Sequence, residues 1–270
     1  MRFITEKQKL DMINKALENI MDKLVVFNPT LNEAMRYSLY GKGKRIRPIL
    51  MLSVFEMLGG NLEECMPFAC GLEMIHTYSL IHDDLPALDD DDFRRGIPTN
   101  HMVYGEAIAL LAGSALLNLA YETMIISCDS LYKIMAVHII SSYVGSSGMI
   151  AGQAWDLEIT DDNERKYMIA ELKTGKLFSA ALAAPCLIIK GENHPMWQQL
   201  EKIGKELGGI FQRKDDLEDL ISSKDTSKED IDILKKHYND RGYANNILKS
   251  LKQYKDSEFL TEYIENFLHL

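Results

Sequence analysis

Asp83, Asp84 and the run Asp89 to Asp92 place six carboxylates within ten residues, and Arg94 and Arg95 follow almost at once. Carboxylate oxygens suit hard divalent cations. Mg²⁺ in particular takes one or two of them and completes its shell with water and substrate phosphates. Asp83 follows the apolar-spaced positions Ile75, Tyr78 and Ile81, which places it at the C-terminal end of a buried helix. An anion is disfavoured there by the helix dipole, and a bound cation repairs the clash. Pro86 lacks a backbone N–H and disfavours helical backbone at Leu85, so the chain bends and can bring Asp89 back towards Asp83. Four consecutive aspartates also read as a solvated acidic loop; the two adjacent arginines favour a metal-bridged anionic substrate.

A second cluster, Asp215-Asp216-Leu217-Glu218-Asp219, puts Asp215 and Asp219 on one helical face, within reach of a common cation. On its own this pattern fits many exposed helices; its pairing with the first cluster gives it weight. Zinc lacks His or Cys partners here. The basic counterpart is Gly41-Lys42-Gly43-Lys44-Arg45-Ile46-Arg47-Pro48. Its glycines let backbone approach a phosphate, and the Lys44 ammonium and forked Arg47 guanidinium together fit a diphosphate. It is not a P-loop, because GxxxxGK[ST] is absent and a helix precedes it. No window in the aspartate run meets the EF-hand pattern. Lys173-Thr174-Gly175-Lys176 reads either as part of a site or as an exposed amphipathic helix face.

These groups must be positioned by helices. Apolar residues recur at three- and four-residue spacing, as in Ile203, Leu207, Ile210 and Phe211, whereas strand-like alternation is scarce. Breaks are expected near Asn28-Pro29, Gly41 to Gly43, Gly59-Gly60, Leu85 to Pro98, Gly191 to Pro195 and Ser222 to Ser227. No linker separates two domains, so residues 1–270 read as one all-α domain. Glycines within the helical patterns, among them Gly113, Gly152, Gly175 and Gly208, point to close helix approach or room for a ligand.

Composition narrows the function. Hydrophobic residues make up 46% and charged residues 26% of the 270, which excludes a disordered or collagen-like chain. Thirty Lys+Arg against forty Asp+Glu give a net charge of −10, which argues against broad nucleic-acid binding. The charged N-terminus lacks a secretory pattern, so a cytoplasmic location is expected. The apolar segments Ala107 to Leu117 and Ala180 to Ile189 are shorter than a membrane span and are expected to be buried helices. Four scattered cysteines suggest buried thiols rather than a disulfide framework.

Taken in order and spacing, GKGKRIRP, EMIHTYSLIHDDLPALDDDDFRRGIPTNH, GMIAGQAWDL, KTGKLF and FQRKDDLEDL resemble the short-chain isoprenyl (polyprenyl) diphosphate synthases, from about residue 30 to 220. The first motif and its flanks are most similar to bacterial farnesyl diphosphate synthases. The resemblance implies an isoprenoid synthase fold, a single-domain bundle of about ten core helices around a central active-site cavity, usually in a homodimer. It implies that Asp83 and Asp89 bind two Mg²⁺ ions with Asp84 beside them, and that Asp215, supported by Asp216 and Asp219, binds a third. Arg94 and Lys173 would hold the allylic diphosphate. Gly43, Lys44, Arg47, His76 and Arg95 would hold isopentenyl diphosphate, and Thr174 and Gln212 would face the reacting carbons. The implied reaction is Mg²⁺-dependent head-to-tail condensation giving mainly the C15 product, with C10 and C20 synthases as alternatives. Tyr78, five residues before Asp83, would limit chain length.

The segment after the second motif, Ile221 to Asp230, departs from the family's Gly-Lys-rich loop; Lys224 or Lys228 would have to substitute. A class I terpene cyclase has no isopentenyl diphosphate to bind and does not need Lys44, Arg47, His76 and Arg95 together. A noncatalytic partner subunit usually loses metal-binding aspartates, and both motifs are intact here.

Overall fold

Helix starts follow from capping chemistry. In this computed structural model, which describes residues 3–158, 163–222 and 241–269, Thr5 opens α1 (Glu6–Lys23) with a capping box. Its side chain accepts from the Gln8 N–H at 3.3 Å, while the Gln8 side chain accepts from the Thr5 N–H at 2.9 Å. Asn28 caps α2 (Pro29–Leu39), accepting from the Leu31 N–H at 3.0 Å, and Pro29 fills the first turn where no N–H is needed. The expected breaks at Asn28-Pro29, Gly41 to Gly43 and Gly59-Gly60 separate α1, α2, α3 (Ile46–Met57) and α4 (Leu62–Asp83).

The chain continues through a two-residue hairpin, β1 (Phe93–Arg94) and β2 (Ile97–Pro98), into α5 (Asn100–Tyr104), α6 (Glu106–Ile126), α7 (Leu131–Val144), α8 (Met149–Asp156) and α9 (Asn163–Ala170). A π-helical turn, Glu171–Gly175, leads into α10 (Lys176–Lys190). Then come α11 (Met196–Ser222), α12 (Arg241–Leu251) and α13 (Glu258–His269). About 76% of the structure is helical, as the three- and four-residue spacing predicts.

The chain divides into two compact units, residues 1–56 with 60–137, and 57–59 with 138–270. In the first, α4 is the central helix. Cys65, Phe68, Ala69, Leu72, Met74 and Ile75 are all fully buried, so α4 is apolar on every side and packing rather than amphipathicity holds it. In the second, α10 has the same character, from Leu177 to Leu187. Glycines permit the close approach there: a Cβ on Gly208 would collide with the Gly175 backbone, and one on Gly152 with the Lys173 backbone.

Burial of α6 is a correction. The apolar segment extends past Asn118 and Glu122 to Ile126. The whole helix is long and apolar enough to cross a membrane, as are Leu131–Asp156 and Arg165–Lys190. Two isolated polar residues do not interrupt a helix of this mean hydropathy. Only 39% of the apolar window of α6 is buried, and Leu110, Leu111, Ile125 and Ile126 are exposed. The segment Ala180 to Ile189 is buried as expected.

Candidate active site

Helix α4 ends at Asp83, and the chain then folds back. The Leu85 N–H donates to His82 O at 3.1 Å, Leu88 N–H to Leu85 O at 2.8 Å, and Asp89 N–H to Asp83 O at 2.9 Å. Pro86 thus marks the bend expected from its chemistry, and Asp89 lies beside Asp83. Asp83 is partly exposed and Asp89 exposed, as groups open to a ligand should be. Asp84 is 4% exposed and is held by the Arg94 guanidinium, whose Nη2 also donates to Asp91 Oδ2 at 3.1 Å. Burial raises the Asp84 carboxyl above its ordinary range, against the opposing pull of Arg94.

The hairpin that carries the arginines was not legible as a strand pair. Phe93 pairs with Pro98 and Arg94 with Ile97, with Arg95 (φ 54°) and Gly96 (φ 80°) forming the turn. Two successive positive φ angles are the mark of a type I′ hairpin. The signal available in the sequence was Arg-Gly between two short apolar stretches. The turn directs Arg95 onto the basic loop, where its Nη1 donates to Lys42 O at 3.0 Å. A Cβ on Gly43 would lie 2.8 Å from Arg95 Nη1 and 3.2 Å from Arg45 Nη1, so Gly43 makes room for two guanidinium groups.

Within the same unit, Arg47 Nη1 lies 3.4 Å from His76 Nε2. Burial, then the charges of Arg47, Arg95, Arg45 and Arg94, hold the His76 imidazole well below its ordinary value. A neutral ring can accept from Arg47 and donate through its other nitrogen. Lys44 is exposed, while Arg47 is buried. His76 and Asp83 are seven residues apart on α4, hence on one face about 10 Å apart. Tyr78 is 5% exposed with its ring edge-on to His82, 5.2 Å between centroids. Burial, then Tyr121 and Asp83, push its hydroxyl up to about 12.

Arg45 and Glu73 were missed. Arg45, at φ 50°, donates to Glu73 Oε1 at 2.7 Å, to Leu39 O at 2.6 Å and to Asn14 Oδ1 at 3.2 Å. Arginine inside a basic motif reads as a ligand for phosphate; only Glu73, set in the apolar middle of α4, hinted at an internal partner.

In the second unit the Lys-Thr-Gly-Lys sequence lies on a helical run, as expected, but the turn Glu171–Gly175 is π-helical. Such turns mark functional sites in many helices. Thr174 is buried and its hydroxyl donates to Gln212 Oε1 at 2.6 Å, and Lys173 Nζ donates to Asp156 Oδ2 at 2.6 Å. Thr174 and Gln212 are therefore brought together. Gln153, one turn before Asp156 on α8, buries amide nitrogen and oxygen without a hydrogen-bond partner among the described residues. The backbone of α11 carries Asp215, Asp216 and Asp219 in helical register, with their side chains outside the described residues, as are Lys224 and Lys228 entirely.

The donor set at the first motif is carboxylate oxygen alone, which fits Mg²⁺. Among the described residues no three His, Cys, Asp or Glu side chains converge into a cage. A cation bound by one or two carboxylates plus phosphate oxygens has no need of one.

The helical fold is of the isoprenoid synthase class. It is similar to a solved geranyltransferase from Legionella pneumophila (TM-score 0.85, 28% identity, 98% of this chain and 97% of that one). The sequence is 41% identical over 220 residues to the farnesyl diphosphate synthase of Micrococcus luteus, covering 79% of this chain and 74% of that one. It is 39% identical over 229 residues to a chloroplastic geranylgeranyl pyrophosphate synthase of Capsicum annuum, covering 82% of this chain and 60% of that one. Residues 28–239 match the polyprenyl synthetase family. The chain belongs to that family, and its enzymatic class is prenyltransferase.

Proposed function

We propose that residues 1–270 act as one synthase domain that condenses isopentenyl diphosphate with dimethylallyl and then geranyl diphosphate, giving mainly farnesyl diphosphate. The observation that most supports this reading is the shared face of α4. His76, with Arg47 beside it, and Asp83, with Asp89 folded back against it, are spaced to serve two diphosphates lying next to each other.

Asp83, Asp89 and Asp215 would hold Mg²⁺, three ions per site, with Asp84, Asp216 and Asp219 behind them. Bound Mg²⁺ supplies positive charge that stabilises the departing diphosphate. Arg94 and Lys173 bind the allylic diphosphate and add to that stabilisation. Lys44, Arg47, His76 and Arg95, with the Gly43 backbone, fix isopentenyl diphosphate so that its double bond meets the allylic carbon as the C–O bond breaks. The Thr174 hydroxyl and Gln212 amide face the reacting carbons, where their dipoles stabilise the allylic cation. Attack by that double bond forms the new carbon–carbon bond and leaves a cation on the isopentenyl unit, and loss of a proton from the neighbouring carbon to the released diphosphate restores a double bond.

The relatives divide between farnesyl and geranylgeranyl synthases. Tyr78 supports the shorter product, because a buried aromatic one and a half turns before Asp83 sets a floor for the growing chain. The exposed apolar side chains of α6 suit a second copy of the chain, which supports reading the enzyme as a homodimer; a cytoplasmic location is part of the same proposal. Incubation with labelled isopentenyl diphosphate, Mg²⁺ and each allylic diphosphate tests the reading. It requires label in a C15 product, and a main product of C20 would move the assignment to the geranylgeranyl type.

A further inference from the structure

The π-helical turn Glu171–Gly175 carries Lys173 and Thr174, and both of its ends are held by charged side chains that the proposed reaction does not use. Lys205 Nζ lies 3.0 Å from Glu171 Oε1, at the start of the turn, and 3.9 Å from Glu201 Oε1. Lys176 Nζ, just past its end, lies 3.7 Å from the same Glu201 oxygen. Glu171, Lys205, Glu201 and Lys176 thus form a row of alternating sign. Tyr143 of α7 closes it. The ring is 7% exposed, with Lys176 Nζ 4.5 Å from its centroid, and its hydroxyl donates to the Glu201 carboxylate.

This row is in register with the groups that face the substrate. Glu201, Lys205, Gly208 and Gln212 follow one another at spacings of four, three and four residues, so they share one face of α11. Further along that face a Cβ on Gly208 would collide with Gly175, and Gln212 accepts from the Thr174 hydroxyl. A π turn is a rare departure from the α-helix and takes an extra residue into the turn. Relaxation to an α-helix would shift one flank by a residue, which turns its side chains by about 100°. Lys173 or Thr174 would then leave its present partner, Asp156 or Gln212. The Glu171 and Lys205 side chains are 32% and 33% exposed, and pairs so open to water add little to global stability. Their effect is on local register.

We propose that Glu171 and Lys205, backed by Glu201, Lys176 and Tyr143, are positioning residues that clamp the π-helical turn in the register at which Lys173 and Thr174 meet the allylic substrate. The clamp stands on geometry alone; its effect on turnover rests on the roles proposed above for Lys173 and Thr174.

The test compares the full-length wild type with Glu171→Gln, Lys205→Met, the charge swap Glu171→Lys with Lys205→Glu, and Lys202→Met, which removes an exposed charge from the same helix. Hydrogen exchange without substrate, read by mass spectrometry over residues 171–176, should quicken about tenfold in the two single variants as the turn opens locally. It should match wild type in Lys202→Met and recover in the swap. With geranyl and isopentenyl diphosphates and Mg²⁺, the single variants should lose roughly ten- to hundredfold in kcat, the scale of a small misplacement of reacting groups. Their KM for isopentenyl diphosphate and their melting temperature should stay close to wild type, and the swap should regain most of the lost kcat. Wild-type exchange in both single variants, or no recovery in a folded swap, would overturn the clamp. Wild-type kcat in variants whose exchange had quickened would overturn its positioning role. A wild-type chain that forms no prenyl product while the exchange pattern holds would overturn the proposed reaction and leave the clamp in place.

Discussion

Arg45 Nη1 and Glu73 Oε1 meet at 2.7 Å with both side chains 5% exposed or less, tying the loop of Lys44 and Arg47 to the helix of His76. Losing one partner of a buried pair leaves an uncompensated charge and costs about 3–5 kcal/mol. We expect Arg45→Met and Glu73→Gln each to lower the melting temperature clearly. In whatever fraction remains folded, the KM for isopentenyl diphosphate should rise more than kcat falls. Lys44→Ala is the contrast: exposed, it should raise the same KM with little change in melting temperature. Equal melting temperatures for all three variants and wild type would show that the pair holds nothing.

Why that pair escaped the sequence while the aspartates did not is a matter of range. The bend at Pro86 and the return of Asp89 follow from local backbone rules, and so were legible, as was Asp83 at a helix end. Arg45 finds Glu73 across 28 residues, and no spacing rule links them. The same holds for the hairpin, whose two-residue strands are too short to show alternation. At the π-helical turn the backbones of Gly152 and Gly208 press close to Lys173 and Gly175, an approach the glycines suggested without indicating a partner. The length of α6 was legible but its exposure was not, because apolar residues read alike whether they face a core or an uncovered surface.

His76 carries a pH prediction. Its folded pKa lies well below the ordinary 6.5, so above that pH both folded and unfolded chains hold it neutral and it adds no pH dependence. As pH falls through 6.5, the unfolded chain takes up a proton that the folded chain refuses, and stability falls until the folded pKa is reached. Thermal melts of wild type and His76→Gln between pH 7.5 and about 5 should therefore diverge, the wild type losing more on the acid side. Parallel curves would show that the surrounding arginines do not depress this group.

Tyr78→Ala removes the proposed floor. We expect its products to shift from C15 to C20 or longer, with Mg²⁺ dependence retained. The hydroxyl is not required, so Tyr78→Phe should keep the C15 product. A folded Tyr78→Ala variant that stops at the wild-type length would place the floor elsewhere.

The exposed face of α6 is the proposed contact with a second copy. Leu111 is 54% and Ile126 79% exposed. Placing a charge there, as Leu111→Glu with Ile126→Glu, should turn a dimer into a monomer in sedimentation velocity. A wild-type chain that sediments as a monomer at micromolar concentration would contradict the assignment.

In the proposed reaction Asp83 and Asp89 serve ionisation of an allylic diphosphate, while the basic loop and His76 bind a second diphosphate independently. The direct measurement pairs product formation with isopentenyl diphosphate affinity in wild type and Asp83→Asn. Wild type should convert geranyl and isopentenyl diphosphates to a C15 product only with Mg²⁺ present. Asp83→Asn should lose roughly 100-fold or more in turnover while its affinity for isopentenyl diphosphate stays within about twofold. Near-normal turnover in Asp83→Asn, or a wild-type enzyme as active with Mg²⁺ chelated, would contradict the account.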